Sequence, residues 1–238
     1  MQATYQQLEL RHLPRYSITE AGRYLQIPAG TLRSWIHGRF YPTAEGQRYF
    51  KPLIELPNTE VKQLSFTNLV EAHVLRVIRK GYDIRLDKVR TALDYVEQRF
   101  KLPHPLARIE FQTDGIDLFV DSVGHLVNAS QEGQLVMREV LKHLLKRIES
   151  DESGVAIKLF PFTRSPENIM EESPKTLVID PRISFGRPVL IGTGIPTAML
   201  AQRYKAGESI DDLADDYGCD RLQIEEAIRC ELSLYQAA

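Results

Sequence analysis

Thr31, Arg33, Ser34, His37 and Arg39 fall within one short stretch, and every one of these side chains can donate a hydrogen bond. A guanidinium presents its donors as a fixed fork, which matches the guanine edge in the major groove or a phosphate. Arg33 is the best placed for base contact, with Thr31 and Ser34 beside it and His37 and Arg39 just beyond. Arg15, Arg23, Arg39, Arg48 and Lys51 suit phosphates, which position a protein on DNA without reading sequence. The alternative is a solvated basic face with no ligand. Covalent chemistry finds no comparable cluster. His12, His37, His73, His104, His125 and His143 are scattered. The i and i+4 pairs among Asp211, Asp212, Asp215 and Asp216 could bracket a metal ion in a nuclease, but a charged, solvated helix face is the simpler reading. No Cys-x-x-Cys or His-x-x-x-His pair occurs, so no metal site and no cofactor are expected, and the sequence points away from an enzyme.

These donors need a scaffold, and the local sequence supplies one. Ser17 and Glu20 have capping-box spacing, and Ile18, Ala21 and Leu25 follow at helical intervals. Gln26-Ile27-Pro28 breaks the run, and a second helix is predicted from Ala29 to Ile36, facing Leu32 and Ile36 inward and ending at Gly38. Two short helices around a tight turn make a helix-turn-helix, whose second helix lies in the major groove. Trp35 reads as a core anchor between helix and wing, with stacking on a sugar-phosphate edge as the alternative. Residues 39–57 lose helical period around Pro42, Gly46, Pro52 and Pro57, which predicts a small β-hairpin wing. Tyr41 and Tyr49 either pack that wing or touch phosphates.

The expected fold is mainly α with small β elements, an α+β chain. Residues 1–60 form the winged helix-turn-helix. A helical hairpin over 61–105 comprises Phe66 to Lys80, closed by Gly81, and Leu86–Phe100. Residues 106–162 read as a small antiparallel sheet with one helix. The strand-like runs there are Arg108–Gln112, Ile116–Val120, His125–Asn128 and Ala156–Phe160, with the helix over about Leu135 to Ile148. Residues 163–175 are a polar linker. A β-rich stretch, Thr176–Ile191, then leads into three helices, Thr197–Ala206, Ile210–Tyr217 and Arg221–Leu234, within a C-terminal unit of 176–238. Ser209 and Asp220 are the expected caps, and Gly218-Cys219 makes a second helix-turn-helix spacing.

Charge separates the two ends. Over residues 11–51, six arginines and Lys51 face only Glu20 and Glu45. Over 205–238, nine carboxylates face Lys205, Arg221 and Arg229, although the whole chain carries only −2. A phosphate backbone is drawn to the first end and repelled by the second. Asp211, Asp212, Asp215, Asp216, Glu225 and Glu226 are therefore assigned to protein contacts, in dimerisation or on a basic partner, with a merely solvated surface as the alternative. No apolar run approaches a membrane span, the N-terminus lacks signal-peptide character, and Cys219 and Cys230 read as reduced thiols, so a cytoplasmic protein is expected.

Two family resemblances follow from these residues. Ser17-Ile18-Thr19-Glu20-Ala21 through Thr31-Leu32-Arg33-Ser34-Trp35 resembles the winged helix-turn-helix of the MerR superfamily and of excisionase-like modules. Asp180-Pro181-Arg182-Ile183-Ser184-Phe185-Gly186-Arg187-Pro188, continuing through Gly192-Thr193-Gly194-Ile195-Pro196 and Gly207-Glu208-Ser209-Ile210, resembles the antitoxin-like domain-of-unknown-function family 433. Gly194 stands where that family carries an arginine. Chains that join the two halves through a segment like Leu64–His73 are similar to VapB-type antitoxins. The resemblance implies repression of the chain's own promoter and a PIN-like ribonuclease toxin as partner. The alternatives are a ligand-responsive transcription factor with the 106–162 module as sensor, and an interaction protein that has lost DNA binding. Helix-turn-helix proteins read two-fold sites, so a homodimer is expected, with the helices of 66–100 in its interface.

Overall fold

A computed structural model of the chain describes residues 10–43, 46–82, 84, 86–101, 103–164 and 174–232. Helix α1 (Ile18–Leu25) starts at Ser17, whose hydroxyl accepts from the Glu20 amide while the Glu20 carboxylate accepts from the Ser17 amide. The turn closes with the Ile27 amide donating to the Gly22 carbonyl at 2.8 Å, and α2 (Ala29–His37) begins behind Pro28. Gly38 ends α2 at φ +70, where a Cβ would lie 2.3 Å from the Phe50 carbonyl. Only glycine lets the chain turn that tightly into the wing. The wing is an antiparallel pair, β1 (Arg39–Thr43) on β2 (Gly46–Phe50), in the register Arg39↔Phe50.

Helix α3 (Phe66–Tyr82) is the central pillar, and it runs one residue past Gly81, its expected end. Its apolar stripe of Phe66, Leu69, Val70, Val74, Val77 and Ile78 is buried, and so are Thr67, Asn68, Glu71, His73 and Arg76. Buried polar groups must find partners. Asn68 Nδ2 donates to the Glu55 carbonyl and to Glu71 Oε2, both at 2.9 Å, and Arg76 donates to Gln26 Oε1 at 3.1 Å. With Phe66 through Ile78 enclosed in its own chain, α3 has no face left over that span for a second copy. Helix α4 (Leu86–Phe100) has the predicted bounds and buries Val89, Leu93 and Val96. It packs chiefly against α5 (Ile116–Val127).

The middle of the chain departs most from expectation. Arg108–Gln112, Ile116–Val120 and His125–Asn128 are not strands. A π-helical turn, Phe111–Gly115, runs straight into α5, and α6 (Gln131–Leu145) follows behind a Ser130 cap. Ile116, Phe119, Val120 and Val123 are all buried, which is helical spacing. Gly115 and Gly124, taken for turn residues, are close-approach points, and a Cβ at Gly124 would meet Gln134 at 2.5 Å. The sheet is confined to β3 (Ile148–Ser150) paired with β4 (Ala156–Leu159).

Beyond residues 165–173, the greater part of the expected linker, which lies outside the described residues, β5 (Leu177–Val178) pairs with β6 (Val189–Leu190). Leu159 and Ile179 exchange backbone hydrogen bonds at 3.0 and 2.8 Å, which joins this unit to β4. Helices α7 (Thr197–Lys205), α8 (Ile210–Tyr217) and α9 (Arg221–Leu232) complete the fold, and α9 packs on α7 and α1. The stretch expected to extend α9 to Leu234 lies outside the described residues. Small antiparallel sheets in a largely helical chain make this an α+β fold.

Candidate nucleic-acid interface

The sequence divides α2 into two faces. Leu32, Trp35 and Ile36 are buried, while Gly30, Arg33 and His37 are exposed and Thr31 and Ser34 half-buried. Residues 30, 33, 34 and 37 share one side of a helix. Ser34 Oγ donates to the Thr31 carbonyl at 2.8 Å, which fixes its hydroxyl on that side. Trp35 is 2% exposed and belongs to the core. Its carbonyl accepts from the Leu53 and Ile54 amides, so the chain leaving the wing is tied back to α2.

The wing continues the same surface. Arg39 and Arg48 are exposed, and Tyr49 Oη donates to the His37 carbonyl at 2.8 Å, locking the wing to the end of α2. Tyr49 therefore packs the wing, whereas the Tyr41 side chain lies outside what is described. Phe40 is 69% exposed and packs against Tyr49 with ring centroids 5.0 Å apart and the rings tilted. No acidic residue occurs from Ala29 to Thr43 or from Gly46 to Lys51. Among the described residues, Arg33 and Arg39 make no ion pair.

Arg15 and Arg23 are placed differently. Arg15 Nη1 donates to the Pro181 carbonyl at 3.1 Å, and Arg23 pairs with Glu231 on α9 at 3.1 Å. Both tie the helix-turn-helix to the C-terminal unit. Nothing in the sequence around them signals partners so distant along the chain.

In the C-terminal unit most of the carboxylates already have partners. Asp211 meets Arg221 at 2.5 Å, Glu225 meets Arg221 at 3.1 Å, and Asp216 meets Arg203 at 2.5 Å. Asp212 caps α8 by accepting from Ser209 Oγ at 2.6 Å. Asp215 is exposed and makes no ion pair among the described residues. Glu226 cannot belong to a partner-binding face, because it is 0% exposed. Its carboxylate is enclosed by Arg164, whose Nε donates at 2.6 Å, and by Arg229 Nη1 at 2.5 Å. At the start of α9, Gln223 Oε1 accepts from the Asp220 amide at 2.9 Å.

Two further constellations escaped the sequence reading. A cavity of about 710 Å3 opens between the wing base and α3–α4, lined by His37, Tyr49, Lys51, Glu71, Arg90 and His104 among others. Within it His104 Nδ1 lies 2.9 Å from Glu71 Oε1, and that hydrogen bond raises the His104 pKa against the opposing effect of burial. Deeper in, His73 stacks on Phe162, where burial first, then Arg76 and Arg147, hold it well below its usual pKa. Burial and the neighbouring Arg76 also lower the Arg147 pKa to about 10. Among the described residues no cluster of His, Cys, Asp and Glu could hold a metal ion, and no helix is long and apolar enough to cross a membrane.

Comparison with known proteins adds a second line. Residues 14–93 match a family described as "Putative DNA-binding HTH domain", and residues 177–229 match the protein family of unknown function DUF433. "Putative antitoxin VapB45" of Mycobacterium tuberculosis is 28% identical over 241 residues, spanning 94% of this chain and 96% of that protein. The uncharacterized protein Rv2308 of the same organism is 26% identical, over 90% of this chain and 88% of its own length. The crystal structure of Rv2018 from M. tuberculosis shares the fold, with a TM-score of 0.63 and 23% identity over 91% of this chain and 98% of that one. Along nearly its whole length the chain thus resembles a VapB-type antitoxin, with a helix-turn-helix of DNA-binding type at one end and the family 433 domain at the other.

Proposed function

We propose that the chain is a DNA-binding antitoxin: α2 and the wing read an operator in its own promoter, and the C-terminal unit holds a PIN-like ribonuclease toxin. The observation that carries the DNA half is the outward face of α2, where Arg33 and His37 stand beside Arg39 and no residue from Ala29 to Thr43 is acidic. Arg33 is assigned to a base edge, with Thr31, Ser34 and His37 beside it, while Arg39 and Arg48 grip phosphates. Arg15 and Arg23 act indirectly, by fixing the helix-turn-helix on the body. The toxin half draws on the relative's name and on the family 433 domain, with Asp211, Asp212, Asp215, Asp216 and Glu225 as its acidic surface. A homodimer would present two copies of α2 to a palindrome, with the exposed side of α4 at Thr91, Tyr95 and Gln98 as its contact.

Titration of promoter DNA and unrelated DNA across a salt series tests this. Wild type should prefer its promoter. Arg33→Ala should lose roughly five- to a hundredfold of that preference, since a bidentate base contact supplies about 1–3 kcal/mol. Arg39→Ala should weaken both DNAs alike and reduce the salt slope by about 1. Equal affinity of the wild type for both DNAs at every salt would remove the operator-reading role.

The cavity beside the wing favours a second reading, a regulator whose DNA affinity responds to a small molecule. About 710 Å3 falls within the range of ligand sites, and its walls include His37 and Tyr49, which hold the wing on α2. Of the 106–162 module only Leu106 lines that site, so on this reading the sensor is the wing base.

A further inference from the structure

Phe185 is 86% exposed, more than any other large apolar side chain among the described residues. It also sits at φ 55 and ψ 31, a left-handed conformation, between Ser184 at φ 47 and Gly186 at φ 76. L side chains disfavour that region and glycine does not. A bare phenylalanine in water gains nothing from its ring, so on folding grounds alone glycine would be the better residue at this position.

The surrounding chain nevertheless holds this knuckle rigidly. Asp180, 1% exposed, accepts from Arg182 Nε at 2.8 Å and Nη2 at 2.6 Å. Tyr16 Oη donates to the Gly186 carbonyl at 2.8 Å, and a Cβ at Gly186 would meet that hydroxyl at 2.2 Å. The Gly186 amide donates to the Ile183 carbonyl, and Arg15 grips the Pro181 carbonyl. Strained residues that a structure over-determines in this way mark functional positions.

We propose that Phe185 is the anchor through which the C-terminal unit holds its protein partner, entering an apolar pocket on that partner rimmed by carboxylates. The proposal rests on the antitoxin reading above. Ile183, 39% exposed, extends the apolar tip. Arg187 is exposed and makes no ion pair among the described residues, so it supplies the charge that a carboxylate rim would meet. A rigid aromatic knob beside an arginine is the composition of an interface hot spot. DNA is the poorer occupant, because the same unit carries the carboxylates of α8 and α9.

The test uses the full chain, its Phe185→Gly variant and its Arg187→Glu variant against the purified protein encoded by the adjacent gene. Wild type should bind it, and Phe185→Gly should bind about thirtyfold or more weakly. The Tm of Phe185→Gly should hold or rise, since glycine relieves the left-handed backbone. Arg187→Glu should weaken the complex about tenfold. If the wild type forms no complex, the antitoxin reading fails and takes the proposal with it. If the complex forms and Phe185→Gly binds as wild type, the proposal alone is overturned. It is equally overturned if Phe185→Gly melts lower, splits a wild-type homodimer in sedimentation, or loses DNA affinity while keeping the complex.

Discussion

The chain contains two helix-turn-helix units of nearly the same construction. Helices α1 and α8 each have eight residues, and each starts with a serine whose hydroxyl and N3 carboxylate form a capping box. Gln26 and Gly218 both close their helices in the left-handed region, and in each turn the next amide, Ile27 or Cys219, donates back five residues. The second helices, α2 and α9, follow after equal turns. Their outward chemistry is opposite. On α2 and the described residues of the wing the exposed charges are cations, whereas on α8 and α9 Asp211, Asp216 and Glu225 are paired with Arg203 and Arg221. Backbone geometry makes the scaffold, and the sign of the charge on its outward face decides what it can bind.

Swapping charge should break this contrast most severely. Arg33→Glu places a carboxylate on the base-reading face and should lower promoter affinity more than about a hundredfold, because it removes the contact and adds repulsion. The matching swap in the other unit, Asp215→Lys, should leave DNA affinity within about twofold. Parallel titrations of the two variants check both statements.

Gly38→Ala acts through the backbone. At φ +70, with a Cβ 2.3 Å from the Phe50 carbonyl, it should cost about 1–3 kcal/mol in denaturant unfolding and shift the wing on α2. DNA affinity should fall by roughly tenfold through lost wing contacts. In the acidic unit, Glu226 and Glu225 separate structure from surface. Glu226→Gln removes the buried carboxylate between Arg164 and Arg229 and should cost about 1–2 kcal/mol. Glu225→Gln, on a partly exposed pair, should change stability by less than about 0.5 kcal/mol.

The smallest effect concerns pH. Burial and the neighbouring Arg76 and Arg147 keep His73 neutral in the folded chain, whereas in the unfolded chain it titrates near pH 6.5. The unfolded state therefore binds the extra proton as pH falls below about 6.5, and stability drops with it. His104 works in the other direction: its raised pKa stabilises the fold at low pH, and that contribution is lost as pH rises through the raised value. His73→Leu should flatten the fall of Tm between pH 7 and pH 5.5, and His104→Gln should steepen it. Thermal melts at several pH values distinguish them.

Local signals explain what the sequence alone made legible. Ser17 with Glu20, Ser209 ahead of α8, and the stripe from Leu86 to Phe100 all act within a turn or two of helix, so the two helix-turn-helix units and α4 could be read directly. The α5 region misled because Gly115, Ser122 and Gly124 are turn formers, and Ile116 to Val120 is a run that suits strand or helix. Only packing against α4 and α6 decides for helix. Site residues were lost in the same way. Arg15, Arg23 and Glu226 have partners at Pro181, Glu231 and Arg164, too far along the chain for spacing to reveal. Phe185 lay inside the family 433 pattern, but its left-handed backbone and bare ring are properties of the folded knuckle.

Site-directed photo-crosslinking shows whether only the first unit touches DNA. Gly30 and Leu222 are each the second residue of their helices, both are exposed, and a Cβ at Gly30 would meet nothing within 4 Å. A photoreactive side chain at each position, in separate full-length proteins on promoter DNA, should crosslink from position 30 and not from position 222. Crosslinking from 222 at equal or greater yield would place the second unit on DNA as well.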